Sequence, residues 1–407
     1  MVASKSTGGS SAMESSNVIH KPMKVIWPDL AIGQIGLVFT GGTLSMAPDP
    51  KTGALRPAVS GTEIVDATGL RTIRDHFSVE TMRQPFNLDS SDLTPPGWVA
   101  INNALLEVLG DSDGAAVFHG TDTLAYSASA TAMALAHSLS KPVVFTGAQV
   151  PLGTAGEDAS ANITRSVKLL DTLHRQNAAG VYVYFGDLGI IGTRATKVSY
   201  VRFQAFEDVS RLSAYFCTAE EIQPARPPRT TMDVERSKAE WANVVGEPLE
   251  ARFAPNGVLS IELNPGTTAD SLVYSAENPS VRILILRSLG AGNVPAQEDN
   301  SQYNIPNAIA EITSKLSKPV IIVSPIVGGS IRSIYEGNLK ALKAGAISAG
   351  SMSAEAAWVK ALLLLGQPKL SEGAFNTRPE ETMDLFRKTF VLDLAGETGK
   401  QFDAFNN

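Results

Sequence analysis

Six short runs of branched aliphatic and aromatic residues, each soon followed by glycine, threonine or serine, constrain the fold of this chain most strongly. They cover residues 35–39, 115–118, 142–145, 181–185, 282–286 and 319–323. Each has the length of one strand and lacks polar alternation, so each reads as a strand buried on both faces. Segments of helical spacing lie between several of them, at 127–139, 161–175 and 307–315. Strand alternating with helix predicts an α/β fold whose mostly parallel sheet is covered on both sides. Residues 220–252 break the rhythm with Pro224, Pro227, Pro228 and many charges, and Ala254-Pro255-Asn256-Gly257 is a turn signal.

The expected organisation therefore has two domains. A disordered tail occupies 1–30 and a larger N-terminal Rossmann-like domain, with a mostly parallel sheet, occupies 31–225. An inter-domain connection follows at 226–256, then a smaller C-terminal α/β domain with its own parallel sheet at 257–407. Length and composition fit this. The chain has 407 residues, 43% of them apolar and 18% charged, enough to bury two cores.

The formal charge of −7 argues against nucleic acid or a membrane surface as a general partner, since both demand clustered Lys and Arg. Cys217 is the single cysteine, so no intramolecular disulfide forms; it follows an apolar stretch and reads as a core thiol. The five histidines show no paired metal-ligand spacing, and we expect neither a metal nor a cofactor. The first residues are small and polar with no apolar segment behind them, so no secretory signal or membrane span is expected and the chain reads as cytoplasmic.

Ligands of open parallel sheets bind beyond the carboxyl ends of the strands. Two strand ends are unusual here. Run 35–39 enters Thr40-Gly41-Gly42-Thr43, and run 115–118 enters His119-Gly120-Thr121-Asp122-Thr123. Glycine lets a ligand approach the main chain. Threonine offers a hydroxyl that becomes a nucleophile once a base takes its proton. Asp122 is placed to hold an ammonium group or orient a lysine. A lone Thr-Gly-Gly is usually only a turn. A phosphate site is the weaker reading, because neither GxGxxG nor GxxxxGK[ST] occurs at these loops.

The two loops together resemble the bacterial-type L-asparaginase family, and its cytoplasmic type I branch more than its secreted type II branch. The likeness runs from about Ile35 to Leu365. Asp89-Ser90-Ser91-Asp92-Leu93-Thr94 is similar to that family's substrate loop, and Thr146-Gly147-Ala148-Gln149-Val150-Pro151-Leu152 to its next strand end. Gly192-Thr193-Arg194-Ala195-Thr196-Lys197 resembles the segment carrying its catalytic lysine. Arg287-Ser288-Leu289-Gly290-Ala291-Gly292-Asn293 resembles a motif of its C-terminal domain.

The resemblance implies hydrolysis of L-asparagine to L-aspartate and ammonia through an acyl-enzyme, by a homodimer or homotetramer. Thr43 would be the nucleophile. Thr121, Asp122 and Lys197 would relay protons and activate the hydrolytic water. A lysine acts as a base only when neutral, and burial and a neighbouring carboxylate push that equilibrium in opposite directions. Asp89 and Asp122 would face the substrate ammonium, and Ser90 and Ser91 its carboxylate. His119 would be a hydrogen-bonded structural residue, and Trp98 and Trp358 packing residues.

Three departures stand out. Secreted relatives carry a tyrosine in the loop after the first threonine motif, but residues 44–56 contain none and Ala54 sits near that position. Gly328-Gly329-Ser330-Ile331-Arg332-Ser333-Ile334-Tyr335 resembles a segment with which some type I relatives supply a tyrosine to a neighbouring protomer, which nominates Tyr335 as the helper of Thr43. Ser351 replaces an aspartate at a helix start and is expected to cap it. Arg287 and Thr196 match an allosteric asparagine site of type I relatives, but Ile326 replaces its cysteine. Two other readings remain: the amidase subunit of a glutamyl-tRNA amidotransferase, disfavoured by the short stretch before Ile35, and a non-catalytic amino-acid-binding protein on the same scaffold.

Overall fold

The computed structural model describes residues 27–399 except 28, 50, 79, 219, 220 and 330–334. Most of the expected tail, residues 1–26 and 28, lies outside the described residues. Trp27 docks on the domain, its indole N–H donating to Gly69 O at 3.2 Å and to Thr72 Oγ1 at 2.8 Å.

The strands are β1 Ile35–Phe39, β2 Met46–Pro48, β3 Leu55–Pro57, β4 Met82–Arg83, β5 Gly114–Phe118, β6 Pro142–Thr146, β7 Gly180–Phe185, β8 Leu188–Ile191, β9 Ala195–Lys197, β10 Phe206–Asp208, β11 Tyr215–Cys217, β12 Ile222–Pro224, β13 Val258–Glu262, β14 Ile283–Arg287, β15 Val320–Val323 and β16 Ile347–Ser348. The large sheet has the order β12-β11-β8-β7-β6-β5-β1-β4. Strands β4, β1, β5, β6 and β7 run parallel, and β8, β11 and β12 add an antiparallel edge. A second, four-stranded sheet, β13-β14-β15-β16, is entirely parallel. Two-stranded pairs β2–β3 and β9–β10 complete the strands, and the α/β architecture with two main sheets matches the expectation.

The helices are α1 Gly61–Ala67, α2 Pro95–Gly110, α3 Leu124–Ala134, α4 Ala159–Arg175, α5 Thr231–Val245, α6 Ala269–Glu277, α7 Ile305–Lys315, α8 Glu336–Lys343, α9 Ala354–Gly366, α10 Glu372–Thr377 and α11 Pro379–Phe390. Alternate strand residues sort into two cores, because successive side chains leave a strand on opposite faces. Val38, Val117, Phe145 and Val183 pack with α2 and α3, whereas Leu37, Phe118, Val144 and Tyr184 pack with α4. Cys217 belongs to the second core, where burial pushes its thiol up to about 12.

One expectation about local structure is corrected. The helix expected at 127–139 starts at Leu124 and stops at Ala134. Its end tightens, Ala136 N donating to Met133 O three residues back, before the chain returns to β6. The charged stretch inside 226–256 folds as α5, whose start is fixed by reciprocal bonds between Thr230 and Asp233.

Helix α9 joins the two sheets. It packs on α3 from the N-terminal side and on β13 and β14 from the C-terminal side. A helix covered all round must be apolar all round. Leu362, Leu363, Leu364 and Leu365 are accordingly all buried. Burial of this kind stabilises by about 1.5–3 kcal/mol per leucine.

Candidate active site

The strand order explains where a site forms. From β1 the chain moves outward to β4, then crosses over to β5 on the other side of β1. The connections leaving β1 and β5 therefore diverge and open a crevice at the carboxyl ends of these strands, the usual ligand position in such sheets. Both threonine loops begin there. Thr40 N donates to Phe118 O at 3.0 Å, and Gly42 N donates to Leu88 O at 2.9 Å.

Glycine is required at this junction. Gly42 has φ +77, and a Cβ on it would lie 2.1 Å from the Gly120 Cα. A Cβ on Gly120 would meet the Ser90 hydroxyl at 2.6 Å. The Thr43 and Thr121 loops thus touch backbone to backbone, with the Ser90 side chain packed against Gly120, an approach that no side chain at 42 or 120 permits. Thr43, next to this contact, is partly exposed in a short 3-10 turn, Thr43–Ser45.

The third component comes from a hairpin. Strand β9 pairs antiparallel with β10, setting Lys197 opposite Phe206. Lys197 Nζ donates to Thr121 Oγ1 at 2.8 Å and to Asp122 Oδ1 at 2.6 Å. The lysine side chain is 20% exposed and that of Asp122 61% exposed, so this ion pair sits at the mouth of the crevice. Thr121 in turn donates to Gln149 Oε1 at 3.4 Å. Gln149 is held by its Nε2 donating to Ser199 O at 3.2 Å and by Asp158 accepting from its backbone N–H. Sequence reasoning noticed the strand end carrying Gln149 but assigned it no place in the site. Its partners lie nine and fifty residues away, so spacing alone gave no signal.

The substrate-loop residues are ordered among themselves. Asp89 starts the short turn Ser90–Asp92 and accepts from Ser91 N and Ser91 Oγ, both at 2.9 Å. Thr123 Oγ1 donates to Ser90 O at 2.8 Å, which ties this loop to the Thr121 loop. Tyr335 stands apart. It precedes α8 in the C-terminal domain, is 47% exposed, and no hydrogen bond among the described residues joins it to this group. Residues 330–334 of its motif lie outside the described residues. Ala54, the residue near the missing loop tyrosine, is exposed where the β2–β3 hairpin turns, its carbonyl accepting from Asp49 N.

His119 is buried, and its Nδ1 donates to Gly120 O at 2.7 Å. A carbonyl only accepts, so the proton sits on Nδ1, and the buried Nε2 has no protein partner among the described residues. Burial lowers this histidine to about 4. The unfolded chain therefore binds the proton more readily between about 4 and 6.5, and folding stability is lost as pH falls through that window. His119→Asn is expected to flatten the pH dependence of unfolding free energy by about 3 kcal/mol there. An unchanged slope in denaturant titrations from about pH 7 to 4 would contradict this.

Ser351 is not the helix cap. Ser353 caps α9, its hydroxyl accepting from Ala356 N at 3.0 Å, while Ser351 Oγ donates to Thr398 O at 2.6 Å. Capping needs an extended residue directly before the first helical one, and Ser353 holds that place with φ −66 and ψ 158. Thr196 and Arg287 converge on Glu355 of α9. Thr196 Oγ1 donates to Glu355 Oε1 at 2.8 Å. Burial raises the Glu355 carboxyl, with Thr196 and Arg287 opposing the rise. Ile326 is 52% exposed. Trp98 and Trp358 pack edge to face at 6.0 Å, and with Thr123, Tyr126 and Arg287 they line a cavity of about 350 Å³ between the domains.

Residues 34–228 match the family model described as Asparaginase, N-terminal, and residues 258–374 match that of the Glutaminase/Asparaginase C-terminal domain. The chain belongs to the asparaginase/glutaminase family. It is 31% identical over 362 residues to an L-asparaginase of Thermococcus kodakarensis, covering 88% of this chain and 97% of the relative. A solved structure of the thermostable L-asparaginase from that organism aligns with a TM-score of 0.70 at 29% identity, covering 89% of this chain and 98% of that one. A glutamyl-tRNA(Gln) amidotransferase component from Aeropyrum pernix is 27% identical over 378 residues, covering 90% of this chain and 80% of the relative. L-asparaginase I from Vibrio cholerae shares the fold, with a TM-score of 0.66 at 24% identity and coverage of 90% and 99%. In this asparaginase-family amidohydrolase the N-terminal match contains both threonine loops and the lysine hairpin, and the C-terminal match contains α9. No helix among the described residues is long and apolar enough to cross a membrane.

Proposed function

We propose that this chain is an L-asparaginase that converts L-asparagine to L-aspartate and ammonia through an ester on Thr43. The observation that carries this reading is the Lys197–Thr121–Asp122 cluster, with bonds of 2.8 and 2.6 Å, on a loop in backbone contact with the one bearing Thr43. Thr43 Oγ attacks the side-chain amide carbon; the C–O bond forms, the C–N bond breaks, and ammonia leaves with the transferred proton. Water then attacks the ester, releasing aspartate and restoring the hydroxyl. Thr121, with Lys197 and Asp122, activates that water. Backbone N–H groups around Thr121 and the neighbouring glycines stabilise the oxyanion. Asp89 and Asp122 take the substrate ammonium, and Ser90 and Ser91 its carboxylate.

The working form in this reading is a cytoplasmic homo-oligomer. Tyr200 and Val201, just beyond Lys197, are 85% and 72% exposed, which favours a covered surface beside the site. Tyr335 of a neighbouring copy then assists Thr43 in place of the missing loop tyrosine.

The similarity to the amidotransferase component favours a second reading, in which the chain is the amidase subunit of a glutamyl-tRNA amidotransferase that feeds ammonia to a partner, with glutamine as the source we assign to it. Ammonia release from each amide separates the two. Asparagine is expected to be preferred by kcat/KM, by the roughly 10- to 200-fold that one methylene controls. Preference for glutamine favours the second reading, and no ammonia from either amide sinks the hydrolase assignment.

A further inference from the structure

Helix α9 carries a charge where its surroundings are apolar. Lys360 and Glu397 are both fully buried, and Lys360 Nζ lies 2.5 Å from Glu397 Oε1. Burying an ion pair costs several kcal/mol of desolvation per ion, and an apolar pair of similar volume often serves packing as well or better. This pair organises a segment. Glu397 also accepts from Leu394 N at 2.9 Å and Ala395 N at 2.7 Å, and Lys360 donates to Leu392 O. Asp393 accepts from Gly396 N at 2.8 Å. Residues 392–397 are thus wound about the buried ammonium group.

The outward carbonyls of this segment meet the 3-10 turn Gly192–Arg194, which leads directly into the strand that bears Lys197. Ala395 O accepts from Thr193 Oγ1 at 3.1 Å, and Glu397 O accepts from Arg194 Nη1 at 3.4 Å. Thr193 and Arg194 are themselves buried, and Arg194 pairs with Asp208 at 3.3 Å. Asp208 stands opposite Ala195 in the β9–β10 ladder. Lys197 follows three residues after Arg194. Near its start, α9 holds that strand directly, through Glu355 and Thr196. The lysine hairpin of the N-terminal domain is therefore gripped twice by one helix of the C-terminal domain, once directly and once through the segment 392–399.

We infer that this segment is a brace that sets the position of Lys197, with Thr193 and Glu397 as positioning residues for the reaction. The inference rests on the asparaginase reading for what Lys197 does, but not for where it is held. A shift of about 1 Å at a reacting group costs up to about 100-fold in rate, so loosening the brace is expected to act on turnover more than on binding.

The direct test uses a pair of variants at Thr193. T193V keeps the shape of the side chain and removes the bond to Ala395 O; T193S keeps the bond. Two quantities are read in the full-length protein: kcat and KM for asparagine, and the rate at which acetic anhydride acylates Lys197 relative to the exposed Lys315, followed by mass spectrometry. The expected result is about 10-fold lower kcat in T193V with KM little changed, faster acylation of its Lys197, and wild-type values for both in T193S. E397Q, which cannot satisfy the three donors at Glu397 as a carboxylate does, is expected to follow T193V; if it does not fold, the Thr193 pair decides alone. Equal behaviour of T193V and T193S, or a loss of kcat with unchanged Lys197 acylation, overturns the inference. A wild-type protein that releases no ammonia sinks the asparaginase reading instead, and the acylation comparison, which needs no substrate, still decides the brace.

Discussion

Thr43→Ala is expected to lower kcat for asparagine by roughly 10⁴- to 10⁶-fold, the range seen when a nucleophile is removed from a group that acts as a unit. The change deletes the hydroxyl and leaves the loop intact. Gly41 and Gly42 supply the positive φ angles that shape it, and the next turn is closed by Met46 N donating to Thr43 O, a main-chain bond that alanine preserves. Thr43 is only partly buried, so little packing is lost. Asparagine is therefore expected to bind the variant with near wild-type affinity by calorimetry while ammonia release disappears. Retained turnover in Thr43→Ala would remove Thr43 from the chemistry and shift attention to Thr121.

Lys197→Met is expected to lower kcat by roughly 10²- to 10⁴-fold, the usual contribution of a positioned acid–base group. Methionine fills much of the same volume but cannot donate to Thr121 or Asp122. Stability is expected to change by less than about 1 kcal/mol, because the Asp122 side chain is 61% exposed and remains solvated after its partner is gone. Parallel measurement of kcat and of the unfolding midpoint distinguishes a lost proton relay from a damaged fold. A variant that is as active as wild type, or inactive only because it is unfolded, would contradict the role given to Lys197.

The parallel strands were legible in the sequence because burial on both faces leaves an uninterrupted apolar run, as in Ile35–Phe39 and Pro142–Thr146. The antiparallel edge was not. Leu188–Ile191 follows β7 after a two-residue turn at Gly186-Asp187, and Tyr215–Cys217 and Ile222–Pro224 are three residues each, too short to show a period. The threonine loops were visible because glycine beside threonine at a strand end is a local signal. The join of Thr121, Asp122 and Lys197 spans about 75 residues and came from resemblance, not from any periodicity. The cap at Ser353 rather than Ser351 is decided by backbone angles that two nearby serines do not reveal. The brace at 392–399 had one trace in the sequence, a lysine amid the alanines and leucines of α9, and that trace pointed to no partner 37 residues away.

Everything proposed for the chemistry depends on which hydroxyl carries the acyl group. If Thr43 attacks and the Lys197 cluster drives hydrolysis of the ester, Lys197→Met slows the second step and the intermediate builds up. Acid quenching of this variant during turnover of asparagine, followed by peptide mass spectrometry, is expected to find an aspartyl ester on Thr43. An ester on Thr121, or free Thr43 throughout turnover that still releases ammonia, would contradict this mechanism.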